Sequence, residues 1–424
     1  MPTLELHALQ GYPTSLLNRD DQNVPKDCFF GGVQRARVSS QALKRAQRVY
    51  FAEHKLIPAE NLSYRTRTLA RLLTDALAER GHAEPDADQL AINVIWGMGI
   101  LGMDPKKAAL RLTNVLLFIS AREISAIADA VHDHADELAA HCLPASQIWP
   151  EPEPEAEPEA EPAASDDGQP VTKTAKAAKA AKGASKAERK AACPKPLQDF
   201  GRPLLARLDA THAADIALFG RFLAEEPDAQ VLGSLCASHA MGVDEMRTTL
   251  DYYTAVDDRL LQSGHLDTGY LTAPTLYRSA HIDLRQLQES LDGDTDLIET
   301  TLKAYATAFI EAIPTGKKTS TAPFTRPDLV LAVLRGGQPL SLANAFTRPV
   351  AYSQGSDLMT NAAAALTAHW HTLGEAYGHD DVLAAWHVST LTGEPPHPLP
   401  GDRANAADLA ARAAARAVLH LGSR

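Results

Sequence analysis

The alternation of apolar and polar residues predicts strands at several places along the chain. Leu4, Leu6 and Ala8 alternate with Glu5 and His7, which is the period-two pattern of a half-buried strand. Apolar segments later in the chain are also strand-like, and we predict further strands at residues 214–222, 275–284 and 328–334.

A period of three to four residues predicts helices between these strands. Ser39 or Ser40 can cap a helix that runs through residues 41–51. A second helix is predicted where apolar residues form one stripe: Ile298, Leu302, Tyr305 and Phe309. Residues 65–143 read as helical throughout, with packed faces at Leu69, Leu72, Leu73 and Leu77 and at Val115, Leu116, Ile119 and Ile124.

The predicted elements follow the order β-α-β-β-α-β, with a helical insertion after the first helix. This order is the split βαβ plan of ferredoxin-like and RRM-type domains, so we expect an α+β fold. Sheets of the RRM type bind single-stranded RNA, although a fold does not by itself establish a function.

Composition and charge narrow the class of protein. The 424 residues are 45% apolar, no apolar run reaches the length of a membrane span, and the first residues lack the order of a signal peptide. The cysteines are scattered without a CxxC pair, which predicts a reduced, cytoplasmic protein with no disulfide framework and no metal site: Cys28, Cys142, Cys193 and Cys236. The net charge of −12 argues against a nucleic-acid partner, but binding depends on local patches.

A low-complexity stretch divides the chain. Residues 150–197 contain EPEPEAEPEAEP and then KTAKAAKAAKGASKAERKAA, which have too little apolar surface to fold, so we predict a disordered linker or surface loop. Its lysines would spread around all sides of a helix, and the neighbouring glutamates could neutralise them. A solvated insertion with weak attraction to a nucleic-acid backbone is therefore favoured, and a specific nucleic-acid site is the alternative. The predicted parts are 1–57, the helical insertion 58–149, the linker 150–197, and 198–424.

Residues 16–48 concentrate positive charge within this acidic chain: Arg19, Lys26, Arg35, Arg37, Lys44, Arg45 and Arg48. Arg35 and Arg37 are two apart in an extended segment and should share a face. Gln41, Lys44 and Arg48 form one helical stripe.

The same segment has backbone features that suit a phosphate. Ser39 and Ser40 stand at a helix N-terminus, where free N–H groups can bind this anion. Gly31 and Gly32 permit a tight turn or a close approach to a ligand. The segment therefore predicts a surface that holds a phosphodiester backbone without reading bases, and a solvated basic helix with capping serines is the alternative.

The pattern LNRDD-x-N-x-x-KD-x-x-FGG-x-x-R-x-R-x-SSQ-x-LKRA closely resembles the CasC family of the RAMP superfamily. This family is the backbone subunit of the type I-E CRISPR surveillance complex, Cascade. The resemblance continues at residues 214–222, 253–258, 281–291 and 338–346, on both sides of the insertion. The Glu/Pro and Lys/Ala stretch departs from the family pattern.

The resemblance implies a hand-shaped subunit with an RRM-like palm, helical fingers and a protruding thumb at about residues 222–253. Copies would stack head-to-tail along the guide RNA (crRNA), together with other Cascade subunits, and target DNA would pair with the guide. Backbone-gripping roles carry over to Arg19, Lys26, Ser39, Ser40, Gln41, Lys44 and Arg48. Phe222 would be the thumb wedge and Thr254 would lie beside a displaced nucleotide, while an ordinary core role for Phe222 is the alternative.

Catalysis is the second hypothesis for this chain. Asp20, Asp21 and Asp27 could serve a metal-dependent ribonuclease, but beside Arg19 and Lys26 they are explained by ion pairs or turns. The histidine-rich segments should not form three-ligand sites: His132, Asp133, His134 and Asp136 lie in a predicted helix where only His132 and Asp136 share a face, and His369 and His371 diverge. No cofactor motif is present, and we expect a non-catalytic protein.

Overall fold

The computed structural model describes residues 2–103, 106–107, 110–149, 193–223, 226–259, 263–353, 355–393 and 395–422. The chain divides into two compact units. Unit 1 comprises Met1–Leu62, Ala210–Arg221 and Val231–Arg424, and unit 2 comprises Ser63–Asp209 and Phe222–Gln230. Within the described residues, no helix is long and apolar enough to cross a bilayer.

Unit 1 is built on a nine-stranded sheet and a separate two-stranded ribbon. Its strands are β1 (Thr3–Gly11), β2 (Asp27–Phe30), β3 (Val33–Val38), β6 (Leu235–Ala237), β7 (Ala240–Gly242), β8 (Thr248–Val256), β9 (Ser263–Thr272), β10 (Thr275–Asp283), β11 (Leu329–Arg335), β12 (Val382–Ser389) and β13 (Asp402–Arg403). Its helices are α1 (Ser40–Glu53), α8 (Ala214–Phe219), α9 (Leu284–Ser290), α10 (Thr295–Glu311), α11 (Lys318–Thr321), α12 (Leu358–Tyr377) and α13 (Ala406–Gly422).

The sheet has the order β13-β12-β11-β1-β10-β7-β3-β2, with β6 also paired to β10. β1 lies between β10 and β11 and is antiparallel to both, whereas the short β13 is parallel to β12. The predicted strands at the N-terminus, at 275–284 and at 328–334 are confirmed, as are the helices after Ser39 and around Leu302. The fold is therefore a mixed α+β fold.

The two faces of the sheet bury different residues. Leu4, Leu6 and Ala8 face α10 and α13, with Leu302 and Tyr305 packed against them. On the opposite face, Leu9, Tyr277, Leu331 and Val333 of the central strands pack against Leu366 and Trp370 of α12. The alternation in β1 therefore separates two packed layers, since every residue from Thr3 to Gln10 is buried.

The strand predicted at 214–222 is wrong, because Ala214–Phe219 forms helix α8. Residues 214–218 are all buried, so no alternation or helical stripe distinguishes the two states. Gly220 ends the helix with a φ of 78°, a conformation that favours glycine. The strand beside β10 is instead supplied by β6.

Unit 2 is mostly helical but contains one antiparallel strand pair. Its elements are β4 (Ser63–Thr66), α2 (Leu69–Glu79), α3 (Glu84–Gly97), β5 (Leu117–Ser120), α4 (Ala121–Asp133), α5 (Ala135–Ala139), α6 (Ala145–Ile148) and α7 (Lys195–Ala206). The predicted helical face at residues 115–124 is wrong. Ile119 lies in β5, and a new helix starts behind a capping box in which Ser120 Oγ accepts from Glu123 N.

Two further expectations for this part of the chain concern the helix around His134 and the predicted linker. The single helix predicted around His132 and Asp136 is interrupted at His134, whose φ of −118° places it between α4 and α5. Of the predicted linker, residues 150–192 lie outside the described residues. The described chain resumes at Cys193, which is buried, and α7 begins at Lys195.

Candidate nucleic-acid interface

The hairpin of β2 and β3 carries the first basic residues of the candidate site. Gly31 and Gly32 form its two-residue turn with φ values of 61° and 83°, which only glycine adopts without strain. Next to the hairpin, Arg37 N donates to the Lys26 carbonyl oxygen at 2.9 Å. The main chains of Lys26 and Arg37 therefore lie side by side, because the hairpin brings the two residues together.

Arg37 is oriented by two neighbours. Its Nε donates to the Asp27 carbonyl oxygen at 2.8 Å, and its Nη1 lies 3.2 Å from His239 Nδ1. Burial lowers the pKa of His239, and the charges of Arg37 and Lys26 lower it further. His239 thus joins the basic cluster as a neutral imidazole at neutral pH.

Sequence reasoning missed His239. Its position depends on the pairing of β7 with β3, in which Arg37 is opposite Met241. No local motif predicts this pairing, because residues 37 and 239 come together only in the tertiary fold. The basic cluster is here defined as Lys26, Arg37 and His239.

The N-terminus of α1 is organised by Ser39 and Asn18. Ser39 Oγ accepts from Ala42 N at 3.3 Å, and Ser39 N donates to Asn18 Oδ1 at 2.9 Å. Ser39 is buried and its hydroxyl is used as the helix cap. Ser40 and Gln41 are the more accessible residues of this first turn.

The predicted stripe on α1 divides into residues with different surroundings. Gln41 is exposed, and Lys44 is partly buried with its Nζ 6.0 Å from the centre of the Phe219 ring. Burial lowers the pKa of Lys44. Arg48 Nε lies 3.3 Å from Oδ2 of the buried Asp215, so this arginine is part of an ion pair within unit 1.

Arg35 does not share the accessible position of Arg37, which corrects its assignment as a phosphate ligand. Its side chain is fully buried. The guanidinium donates only to main-chain carbonyl oxygens: Phe30 at 3.2 Å, Gly242 at 3.2 Å, Val243 at 2.7 Å and Phe346 at 2.9 Å. These bonds occupy most of its N–H donors, so the structure gives Arg35 an internal role.

The loop before β2 contains Arg19 and the acidic residues considered for catalysis. Arg19 is exposed. Asp20 Oδ1 accepts from Gln22 N and Val24 N, each at 2.9 Å. Its carboxylate therefore stabilises a turn, which is the role that the sequence suggests as the alternative to catalysis. Asp27 accepts from the Gln34 side chain. Among the described residues, no three His, Cys, Asp or Glu side chains are placed to hold a metal ion.

Phe222 and Thr254 lie in different units. Phe222 belongs to unit 2 and its side chain is 79% exposed, which excludes the alternative that it is a core residue. Thr254 is exposed on β8 of the two-stranded ribbon in unit 1.

The ribbon around Thr254 also presents aromatic surface. Tyr252 is exposed, and the ring of Tyr253 lies 5.4 Å from Lys317 Nζ while its hydroxyl donates to Asp267 at 3.0 Å. Aromatic rings of this kind can stack on bases, whereas the basic cluster and Lys44 suit phosphates. The surface of unit 1 therefore offers both kinds of contact that a single-stranded nucleic acid requires.

Comparisons with known proteins show what the chain is similar to. Residues 4–407 match the family of CT1975-like proteins. One similar solved structure is described as "CRISPR RNA-guided surveillance complex, pre-nicking", with 27% identity and a TM-score of 0.73 over 97% of this chain and 99% of that chain. Another, "CRISPR RNA-guided surveillance complex", has 24% identity and a TM-score of 0.66 over 98% and 99%, and shows the fold alone. A comparison with curated protein sequences gives no match.

Proposed function

We propose a function from the premise that this chain belongs to the CT1975-like family. The chain is a non-catalytic structural subunit that oligomerises along a CRISPR guide RNA. It grips the phosphate backbone of the guide and leaves the bases free to pair with target DNA. The similarity to a chain of a CRISPR RNA-guided surveillance complex supports this proposal, and assignment to type I-E Cascade and the RAMP superfamily rests on the CasC-like motif.

The observation that carries the proposal is the grouping of cations beside the start of α1. Lys26 and Arg37 are neighbours at the hairpin, and Lys44 follows on α1 with Ser40 and Gln41. Within a chain of net charge −12, such a grouping is a local attraction for an anionic backbone. Since base pairing supplies the sequence specificity of RNA-guided systems, a subunit of this kind needs phosphate contacts rather than base readout.

Different parts of the chain correspond to the palm, the fingers and the thumb of the proposed subunit. The antiparallel order β11-β1-β10-β6 is that of a ferredoxin-like palm, and unit 2 would be the helical fingers. The thumb is proposed from the sequence resemblance alone, at about residues 222–253. Phe222 would act as the wedge and Thr254 would face a displaced nucleotide. Copies of the chain, other Cascade subunits and guide-bound target DNA are the proposed partners, in the cytoplasm.

Co-purification tests this function. The full chain is co-expressed with a CRISPR array and its partner subunits, and the assembly should contain protected RNA of spacer length. Lys26→Ala plus Lys44→Ala should weaken RNA binding and reduce the slope of log K against log [salt] by about 1.4, because each lysine accounts for about 0.7 on a single strand. Lys303→Ala removes an exposed charge from α10 and is the matched control. Unchanged affinity and slope in the double variant would refute the assigned site.

The non-catalytic part of the proposal has its own test. The carboxylates of Asp20 and Asp27 already accept hydrogen bonds within the loop and hairpin, which supports structural roles for them. Guide or target RNA incubated with the assembly and Mg²⁺ should stay intact. Cleavage that is lost in Asp20→Ala, Asp21→Ala or Asp27→Ala would instead establish the ribonuclease alternative.

A further inference from the structure

A segment that follows β11 crosses the sheet face and is here called the strap, residues 336–350. Leu340 N donates to Glu5 Oε1 at 2.7 Å, and Leu342 N donates to the Tyr277 hydroxyl at 3.1 Å. The Phe346 side chain is fully buried, with its ring 5.2 Å from that of Tyr277. Buried groups of β1 and β10 therefore fix the path of the strap.

Arg35 joins this strap to the basic hairpin. The guanidinium lies on β3 and reaches three separate stretches of main chain: the end of β2 at Phe30, the end of β7 at Gly242 and Val243, and the strap at Phe346. A planar guanidinium can hold several carbonyl groups in fixed directions, which a single ammonium group cannot do. Val350 N also donates to the Val243 carbonyl oxygen at 2.9 Å, so the strap and the end of β7 are tied together a second time.

Gly31 provides a second, independent contact between the hairpin and the strap. A Cβ atom on Gly31 would overlap the carbonyl oxygen of Thr347, so the turn of the hairpin packs directly on the main chain of the strap. A Cβ atom on Gly32 would meet nothing within 4 Å, although Gly32 also has a positive φ. The two glycines thus differ in their contact with the strap and not in the sign of φ.

We propose that Arg35, together with the contact between Gly31 and the strap, is the device that positions Lys26 and Arg37 for the guide RNA. Arg35 is a positioning residue that does not touch the nucleic acid, and its role rests on the proposed function of the hairpin. A buried cation is costly to desolvate, and here its bonds go to the hairpin and to the strap that supports it. The strap in turn is held by Glu5 and Tyr277, so the basic hairpin is aligned with the central sheet.

Hydrogen exchange of the full chain without RNA tests the positioning directly. The main-chain amides of β2 and β3 should exchange at least about tenfold faster in Arg35→Met and in Gly31→Ala than in the unsubstituted chain, since both changes release the hairpin from the strap. Arg35→Lys should give an intermediate rate. Gly32→Ala is the matched control and should leave the strap amides Leu340 and Leu342 unaffected, with a smaller change confined to the turn. Unchanged exchange of β2 and β3 in Arg35→Met would overturn the inference, whatever the RNA result.

Salt titration with a labelled single-stranded RNA of spacer length then tests the link to binding. Arg35→Met should reduce the slope of log K against log [salt] by about 1.4, the value for losing the two contacts of Lys26 and Arg37, and should add nothing in a Lys26→Ala/Arg37→Ala background. A further loss of about 0.7 in that background would show that Arg35 itself contacts phosphate and would overturn the inference. If Arg35→Met lowers the melting temperature but leaves the slope of log K against log [salt] unchanged, Arg35 has a purely structural role and the inference is overturned. Failure of the unsubstituted chain to bind RNA would refute the proposed function instead, and the exchange experiment would still decide whether Arg35 holds the hairpin.

Discussion

Replacement of Arg48 by methionine should destabilise unit 1 rather than remove a phosphate contact. Arg48 Nε pairs with Asp215 Oδ2, and the Asp215 side chain is only 2% exposed. Methionine keeps most of the packing volume but leaves that carboxylate without its arginine. The perturbation therefore tests whether this cation belongs to the RNA surface or to the interior.

The magnitude follows from the burial of the pair. Removing one partner of a fully buried ion pair costs about 3–5 kcal/mol. The Arg48 side chain is 20% exposed, so water can partly solvate the site. Asp215 also lies in the first turn of α8, where the helix dipole favours a negative charge by about 0.5 kcal/mol. The expected loss is about 2–3 kcal/mol in the free energy of unfolding.

A double-mutant cycle measured by urea unfolding isolates this pair. Asp215→Asn removes the buried charge, so Arg48→Met should cost at least about 1 kcal/mol less in the Asp215→Asn background. At low denaturant, where both variants are folded, Arg48→Met should bind RNA within about twofold of the unsubstituted chain, while Lys44→Met binds more weakly at unchanged stability. A loss below about 1 kcal/mol without coupling to Asp215, together with weakened RNA binding, would refute the reasoning and return Arg48 to the phosphate surface.

Further predictions concern pH and helix capping. Burial, and then the charges of Arg37 and Lys26, lower the pKa of His239. Bound phosphates would offset the repulsion from those two cations and favour protonation of His239, so RNA affinity should rise as pH falls from about 7.5 to 5.5, and His239→Ala should flatten this dependence in a binding titration. Burial and the nearby His7 lower the pKa of His281 to about 4, so the unfolded chain binds this proton first and stability is lost as pH falls from about 6.5 to 4. Over this pH range, His281→Gln should lose about 2 kcal/mol less of its free energy of unfolding than the unsubstituted chain, as measured by thermal unfolding. The same dependence on pH in both proteins would contradict this prediction. Ser120→Ala should cost unit 2 about 1 kcal/mol in urea unfolding, because it removes the capping box.

The strands and helices with a clear period could be predicted from the sequence alone. The apolar residues of β1, α2 and α10 repeat with a period of two or of three to four, and α1 has a capping serine and an apolar stripe, so these elements are expected from the sequence. β10 and β11 are expected as short strand-like apolar segments. The segment 214–219 could not be assigned this way. Residues 214–218 are all buried, and the helical state of the segment depends on the neighbouring elements that cover it.

The candidate site was predictable as a segment but not as an arrangement. The density of cations in residues 16–48 identified the segment, and sequence spacing even placed Arg35 and Arg37 on one face of β3. Their surroundings differ because the strap and β7 cover Arg35, while Arg37 lies farther along the strand beside His239. Burial of this kind is set by residues about 200 and 300 positions away, such as Val243 and Phe346.

This difference between neighbouring arginines bears on how a phosphate-binding surface is specified. A basic residue contributes to such a surface only if its donors are not already used, and four of the Arg35 donors are used by carbonyl oxygens. Arg37 also has fixed partners, but they orient it from one side and leave it partly accessible. In the proposed surface, the buried arginine fixes where the hairpin lies and the partly exposed arginine is the one that can reach a phosphate, so a count of the cations in the sequence would overstate the number of phosphate contacts.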